Sequence, residues 1–211
     1  SMIFTAVWMV WVMNVLSWSN GIDGQYGGIV GVASITLAVL ALRFSSPSQV
    51  QYQVSIMAAI SAGIAFGFTK HTWYPSKILW GFGAVTAGLI VSTLSILVRA
   101  KVATSMLIIL VPFIDAGVTV SRRILQKKNP LKGDKGHFHH ILMERGWSMG
   151  KIALFYWATT AAFGLVGLLT AEKNTPLYTL TAAGAVAFAI ILLNVRIING
   201  RKDKKQSISS L

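Results

Sequence analysis

Long apolar stretches separated by short polar ones dominate this chain. About seven can be marked, at residues 3–18, 27–43, 54–69, 78–98, 102–120, 152–171 and 176–195. Each approaches the roughly 20 residues that cross a hydrocarbon core, with the first, third and fifth on the short side. They are rich in Val, Ile and Leu, show no strand-like alternation and are too long for strands. In lipid a helix satisfies every backbone hydrogen bond within its own segment, so the pattern predicts membrane-spanning helices. Small residues recur inside them, as in Ala59, Ser61, Ala62, Gly63, Ala65 and Gly67, and in Gly81, Gly83, Ala84, Ala87 and Gly88. Such runs predict close helix packing. The expected fold is all-α, a polytopic transmembrane bundle of about seven spans with a large basic loop at 121–151.

Composition sharpens this reading. Of 211 residues, 54% are hydrophobic and 12% charged, and the mean hydropathy is +0.63. A soluble domain carries about a quarter charged residues, so soluble globular classes are excluded. Nineteen Lys and Arg face six Asp and Glu, for a net charge of +13. In a soluble protein that excess would suggest nucleic acid. Here the basic residues sit between apolar runs, which points instead to a membrane with an anionic inner surface. With no cysteine, disulfides and thiolate metal sites are excluded. Ser1 ahead of the first Met reads as an expression remnant, and no cleavable signal pattern follows it.

Orientation follows from Lys and Arg. With the 121–151 loop placed in the cytoplasm, the inner segments hold Lys70, Lys77, the basic residues from Arg122 to Lys151 and those from Arg196 to Lys205. The outer segments hold only Arg43, Arg99, Lys101 and Lys173. The positive-inside rule then predicts a membrane protein with a cytoplasmic C-terminus. One membrane domain is expected over 1–198, followed by a polar, basic tail at 199–211.

The scarce acids mark the candidate chemistry. Asp23, Asp115, Asp134 and Glu144 all fall at the predicted inner face, as do His137, His139 and His140. Asn14, Ser17, Asn20 and Asp23 are spaced by three. If the first helix reaches Asn20, they share one polar stripe emerging at that face. Asn14 is then helix glue or a site residue, and Asp23-Gly24 is a site or an ordinary turn that ends a helix. Asp115 follows Pro112 inside an apolar span. A carboxylate there costs about 2.5–3.5 kcal/mol unless it is paired or faces a polar cavity. An ion pair with Arg122 or Arg123 is the structural alternative, and Pro112 is placed to kink the span. His137, His139 and His140, with Lys135, suit anion handling better than a metal site, because no matching carboxylate spacing accompanies them.

Asp115, Arg122-Arg123 and Asp134-Lys135-Gly136-His137-Phe138-His139-His140, in that order after Asn14 to Gly24, resemble the polytopic polyprenyl-phosphate N-acetylhexosamine-1-phosphate transferases (glycosyltransferase family 4). That family includes initiators of teichoic acid and O-antigen synthesis and the lipid I synthase of peptidoglycan. The resemblance implies Mg²⁺-dependent transfer of a sugar-1-phosphate from a UDP-N-acetylhexosamine to a membrane polyprenyl phosphate, with release of UMP. It implies catalytic roles for Asp23, Asp115, His137, His139 and His140, with Asp23 also at the metal. Asn14, Asn20, Arg122, Arg123 and Lys135 would bind substrate. On this reading the histidines and Lys135 hold the diphosphate, and Asp115 positions Arg122 or the nucleotide. A homodimer is allowed by the small-residue faces.

The pattern also departs from the family. Asn20 replaces the first Asp of a repeated Asp-Gly, Gly81 stands where a metal-binding Asp is expected, and no two acids are adjacent. Full-length members have about ten spans, so some three N-terminal spans would be missing. The alternatives are a truncated or catalytically incomplete homologue that binds lipid phosphate or nucleotide, one completed by a partner, or a small transporter in which Asp115 lines a pathway.

Overall fold

The computed structural model describes residues 2–43, 48–98, 102–127, 129, 136–170 and 177–192. Among them the chain is helical, with no strand: α1 (Met2–Trp18), α2 (Gln25–Leu42), α3 (Gln49–Thr72), α4 (Gly83–Leu97), α5 (Val102–Ile108), α6 (Leu110–Leu125), α7 (Phe138–Glu144), α8 (Met149–Thr170) and α9 (Leu177–Leu192). The expected membrane bundle is what forms. α2, α3 and α8 are long and apolar enough to cross a membrane, and α1, α4 and α9 are shorter apolar helices. The tail at 199–211, together with Asp134 and Lys135, lies outside the described residues.

α2 is the central post. It packs chiefly on α3 and α8, while α1 packs on α4. Val30, Leu37 and Leu40 of α2 are buried in one apolar cluster with Leu16, Val54, Leu94 and Ile152. Outward faces stay apolar, as at Ile56, Ile60 and Ile64 of α3 and Leu165 and Leu169 of α8. Lipid would cover those faces, so burial alone does not hold such helices together; packing and polar ties do. Trp8 donates its indole N–H to Ser95 Oγ (2.9 Å), Ser55 Oγ–H to Ala38 O (3.0 Å), and Thr179 Oγ1–H to Ala103 O (3.1 Å). The Tyr26 hydroxyl donates to Ala84 O.

Three boundaries differ from the hydropathy pattern, each for a local reason. The fifth apolar segment is two helices, broken at Ile109. Pro112 has no N–H to offer the carbonyl of Ile108, and the ladder resumes with Phe113 N–H to Ile109 O at 2.9 Å. α3 begins five residues before its apolar run, because polar Gln51 is buried and its side-chain amide meets Leu97 O at the end of α4 (3.0 Å). α4 begins five residues late: residues 78–82 are irregular, and Gly81 is left-handed at φ +49°.

The small residues are not uniformly packing sites. A Cβ on Gly88 would sit 3.0 Å from the Met13 carbonyl oxygen, whereas Gly63, Gly67 and Gly81 face open space. Gly88→Leu should therefore push α1 from α4 and destabilise the chain by about 1–3 kcal/mol. Gly63→Ala, inside a helix with room to spare, should be neutral or stabilising by about 0.5–1 kcal/mol. Thermal melting in detergent compares the two.

Candidate functional site

Up-and-down order brings three separate segments to one end of the bundle: 19–24 after α1, 73–82 after α3, and the turn at 136–137 with α7. Contacts among them build the site.

α1 closes early. Ser19 N–H meets Leu16 O (2.9 Å) and Asn20 N–H meets Ser17 O (3.1 Å), after which the chain turns. The four-residue polar stripe therefore stops at Ser17, and Asn20 and Asp23 belong to the turn. Asn14 donates its side-chain amide back to Val10 O of its own helix (2.7 Å). Gly24, at φ +77°, starts α2 rather than ending α1, and the Trp73 ring lies 2.5 Å from where its Cβ would be. Only glycine meets both demands.

Asp23 Oδ2 accepts the Ser76 N–H at 3.0 Å, which ties the first segment to the second. The Asn20 side chain makes no hydrogen bond among the described residues, and Asp23 makes no other. Both border a cavity of about 230 Å³ that Thr72, Leu79 and Trp80 also line. Gly81 adjoins Trp80 but presents no side chain.

Asp115 is buried, at 5% exposure. Oδ1 accepts the Phe138 N–H (2.8 Å), and Oδ2 meets His137 Nδ1 (3.0 Å). This carboxylate thus fixes the start of α7. The alternative ion pair with Arg122 or Arg123 is not formed. Seven residues of helix place Arg122 about 10 Å along the axis, where its guanidinium lies over Gly136 and donates to the Gly136 O (3.4 Å). Arg123 is buried and donates Nε–H to Asn129 O (2.7 Å).

The three histidine rings lie close together, the first two stacked and the third tilted. The His137 and His139 rings are 5.7 Å apart and nearly parallel, and His139 lies 4.4 Å from His140. His139 is buried against Gly21, with Nε2 only 2.4 Å from a hypothetical Cβ there, so glycine admits the ring. That contact joins the histidine turn to the Asp23 turn. Burial, reinforced by the charges of His140 and His137, pushes His139 down to about 3. Near neutral pH it is an uncharged imidazole, able to donate or accept a hydrogen bond but not to serve as a cation.

Four further residues had no signal in the sequence. Ser76 acts through its backbone N–H. Trp73, Tyr156 and Trp157 stand in aromatic stretches with no motif around them. In the structure Tyr156 packs near Phe138, with 6.4 Å between rings, and Trp157 donates its indole N–H to Gly24 O at 3.1 Å.

Among the described residues no three His, Asp or Glu side chains gather to cage a metal ion. Asp23 and Asn20 instead offer one carboxylate and one carboxamide oxygen at a cavity. That donor set suits magnesium carried by phosphates, since the ion retains water and needs only one or two carboxylates. The imidazole nitrogens and Arg122 suit phosphate oxygens.

Removing the Asp115 carboxylate orphans the buried Phe138 N–H and takes away the partner of the half-buried His137 Nδ1. Asp115→Ala should cost about 1–3 kcal/mol per unsatisfied group, and Asp115→Asn less, because its carbonyl can still receive the Phe138 N–H. Melting in detergent and hydrogen exchange across 136–144 check both. For His139 the unfolded chain binds the proton between pH 6.5 and about 3 while the fold does not, so its contribution is present above 6.5 and is lost as pH falls through that window. His139→Gln should flatten the fall in melting temperature between pH 7 and 4.

The first 99 residues, which carry the Asp23 turn and the 73–82 segment, match the model of glycosyl transferase family 4. The chain is 23% identical to a decaprenyl-phosphate N-acetylglucosaminephosphotransferase of Mycolicibacterium smegmatis, over 92% of this chain and 53% of that protein. It is 30% identical to a probable undecaprenyl-phosphate N-acetylglucosaminyl 1-phosphate transferase of Bacillus subtilis, over 68% and 41%. It is 26% identical to a phospho-N-acetylmuramoyl-pentapeptide-transferase of Lactiplantibacillus plantarum, over 80% and 51%. The chain thus spans about half the length of the curated relatives it matches. On the matched residues and the helical membrane architecture, the chain belongs to glycosyl transferase family 4.

Proposed function

We propose that this site transfers an N-acetylhexosamine-1-phosphate from a UDP-sugar to a polyprenyl phosphate at the cytoplasmic membrane face, releasing UMP for cell-envelope glycan synthesis. The observation that carries the reading is the meeting of the Asp23 turn with the histidine turn, through Gly21 and His139, at one end of a lipid-embedded bundle. Family membership and the transferase names of the relatives support it.

In the proposed reaction an oxygen of the lipid phosphate attacks the sugar-linked phosphorus. The bond from that phosphorus to the bridging oxygen breaks, and the nucleoside monophosphate leaves with that oxygen. Both reactants are anions, so the site must hold them in line and screen their repulsion. Asn20 and Asp23, through their side-chain oxygens, would hold the metal ion that the diphosphate carries. His137 and Arg122 border the same end and screen charge, with His137 held by Asp115. His140 and Lys135 are assigned to the diphosphate, Arg123 to the loop backbone and Asn14 to the end of α1. Magnesium, when bound at Asp23 and Asn20, supplies charge neutralisation on the phosphates. The excess of Lys and Arg in the inner segments supports a cytoplasmic position for this end.

A second reading is favoured by one observation. Among the described residues the cavity is bordered by a single carboxylate, Asp23, which suits a homologue that binds lipid phosphate or nucleotide without turnover, or one completed by a partner. UMP release separates the two. The purified chain in detergent, with polyprenyl phosphate, UDP-N-acetylglucosamine and Mg²⁺, should release UMP, and EDTA should stop it. Asp23→Asn should lower turnover at least a hundredfold, the scale of losing a group used mainly in the transition state. Silence across several UDP-sugars from a folded chain supports the binding homologue.

A further inference from the structure

α8 touches both halves of the site with consecutive residues. Tyr156 lies against Phe138, which follows His137 and is held by Asp115. Trp157 reaches the other half across 133 residues of sequence, donating one indole N–H to Gly24 O (3.1 Å) and to Gln25 O (3.3 Å). These carbonyls directly follow Asp23.

The geometry leaves the indole little freedom. Its ring fills the place of a Gly28 Cβ, only 1.7 Å away, and packs edge-on against Trp73 (5.5 Å) and Phe66 (6.1 Å). Trp73 in turn lies over the left-handed Gly24. The Asp23 turn is therefore gripped on three sides: by Ser76 at the carboxylate, by Trp73 at Gly24, and by Trp157 at the carbonyls behind it. Ser76 and Trp73 belong to the neighbouring 73–82 segment. Trp157 alone of the three belongs to the helix that also supports the histidine turn.

We infer that Trp157 is a positioning residue, whose indole N–H fixes the Asp23 turn at a set distance from the His137–His140 turn. It touches neither substrate nor metal. Its effect is geometric: a displacement of about 1 Å in a reacting constellation can cost a hundredfold in rate. The catalytic consequence rests on the transfer reading above, while the grip on the turn does not.

Two substitutions separate the ring from its proton. Trp157→Phe keeps a ring against Gly28, Trp73 and Phe66 but removes the donor. Trp157→His keeps a donor, because imidazole overlays the five-membered ring of indole with its Nε2 near the indole nitrogen. Hydrogen exchange over residues 19–28 should speed up about tenfold in Trp157→Phe, with an unchanged melting temperature, and return toward wild type in Trp157→His. In the UMP-release assay Trp157→Phe should lower kcat tenfold to a hundredfold and raise the Mg²⁺ half-saturation, leaving KM for the lipid near wild type. Unchanged exchange at 19–28 overturns the inference, whatever the activity. Faster exchange with wild-type kcat and Mg²⁺ dependence also overturns the positioning role. If the wild-type chain releases no UMP, the transfer reading fails on its own and exchange alone decides for or against the grip. If Trp157→Phe does not fold, Trp157→His carries the test: retained protection supports the inference and lost protection overturns it.

Discussion

A carboxylate buried in an apolar helix must find hydrogen-bond donors, and the two that Asp115 finds organise the site. Its oxygens take the Phe138 N–H and His137 Nδ1 from more than twenty residues further along the chain. This converts an expensive buried charge into the anchor of α7. Because α7 is a helix of only seven residues, it has little intrinsic stability and depends on such an anchor. His139 is the residue after Phe138 and is thereby pressed against Gly21, so the same bonds that satisfy Asp115 also set the contact between the two turns.

Glycine and tryptophan do complementary work around that contact. Gly21, Gly24 and Gly28 are the places where His139, Trp73 and Trp157 come closest to backbone. Each pairing sets a large ring against a position that can offer no side chain. In a bilayer, where water cannot drive helices together, such interlocking is the main source of specificity. Polar ties such as Trp8 to Ser95 and Ser55 to Ala38 fix register elsewhere in the bundle.

Helix type and the placement of the apolar helices were legible because apolar length is a strong signal in lipid; the split at Ile109 and the short α7 were not. Helix ends were less legible. Gln51 looks like loop material until its amide meets Leu97 O, a partner 46 residues away. Pro112 foretold a disturbance, although the break falls three residues earlier, at Ile109. Asp23, Asp115 and the histidines could be singled out because acids and imidazoles are rare in this chain. Their mutual arrangement could not. Nothing local in the sequence says that Asp115 chooses Phe138 and His137 over Arg122, or that Gly21 marks the seat of a histidine. Ser76 and Trp157 carried no signal, since a backbone N–H is common to nearly every residue and an indole within an apolar helix has an ordinary packing explanation.

The break at Ile109 divides what could have been one rod into two, and α6 becomes a lever hinged at its own first turn. Asp115 lies six residues beyond that hinge, an arm of about 9 Å at 1.5 Å per residue. A swing of about 10° would carry the carboxylate some 1.6 Å by simple geometry, enough to pull both of its hydrogen bonds out of range. A continuous helix would have resisted that swing through its own backbone ladder. Here the restraint comes from part-way along the lever, where Asp115 grips α7, so the alignment of the histidine turn and the tilt of α6 form a single mechanical degree of freedom.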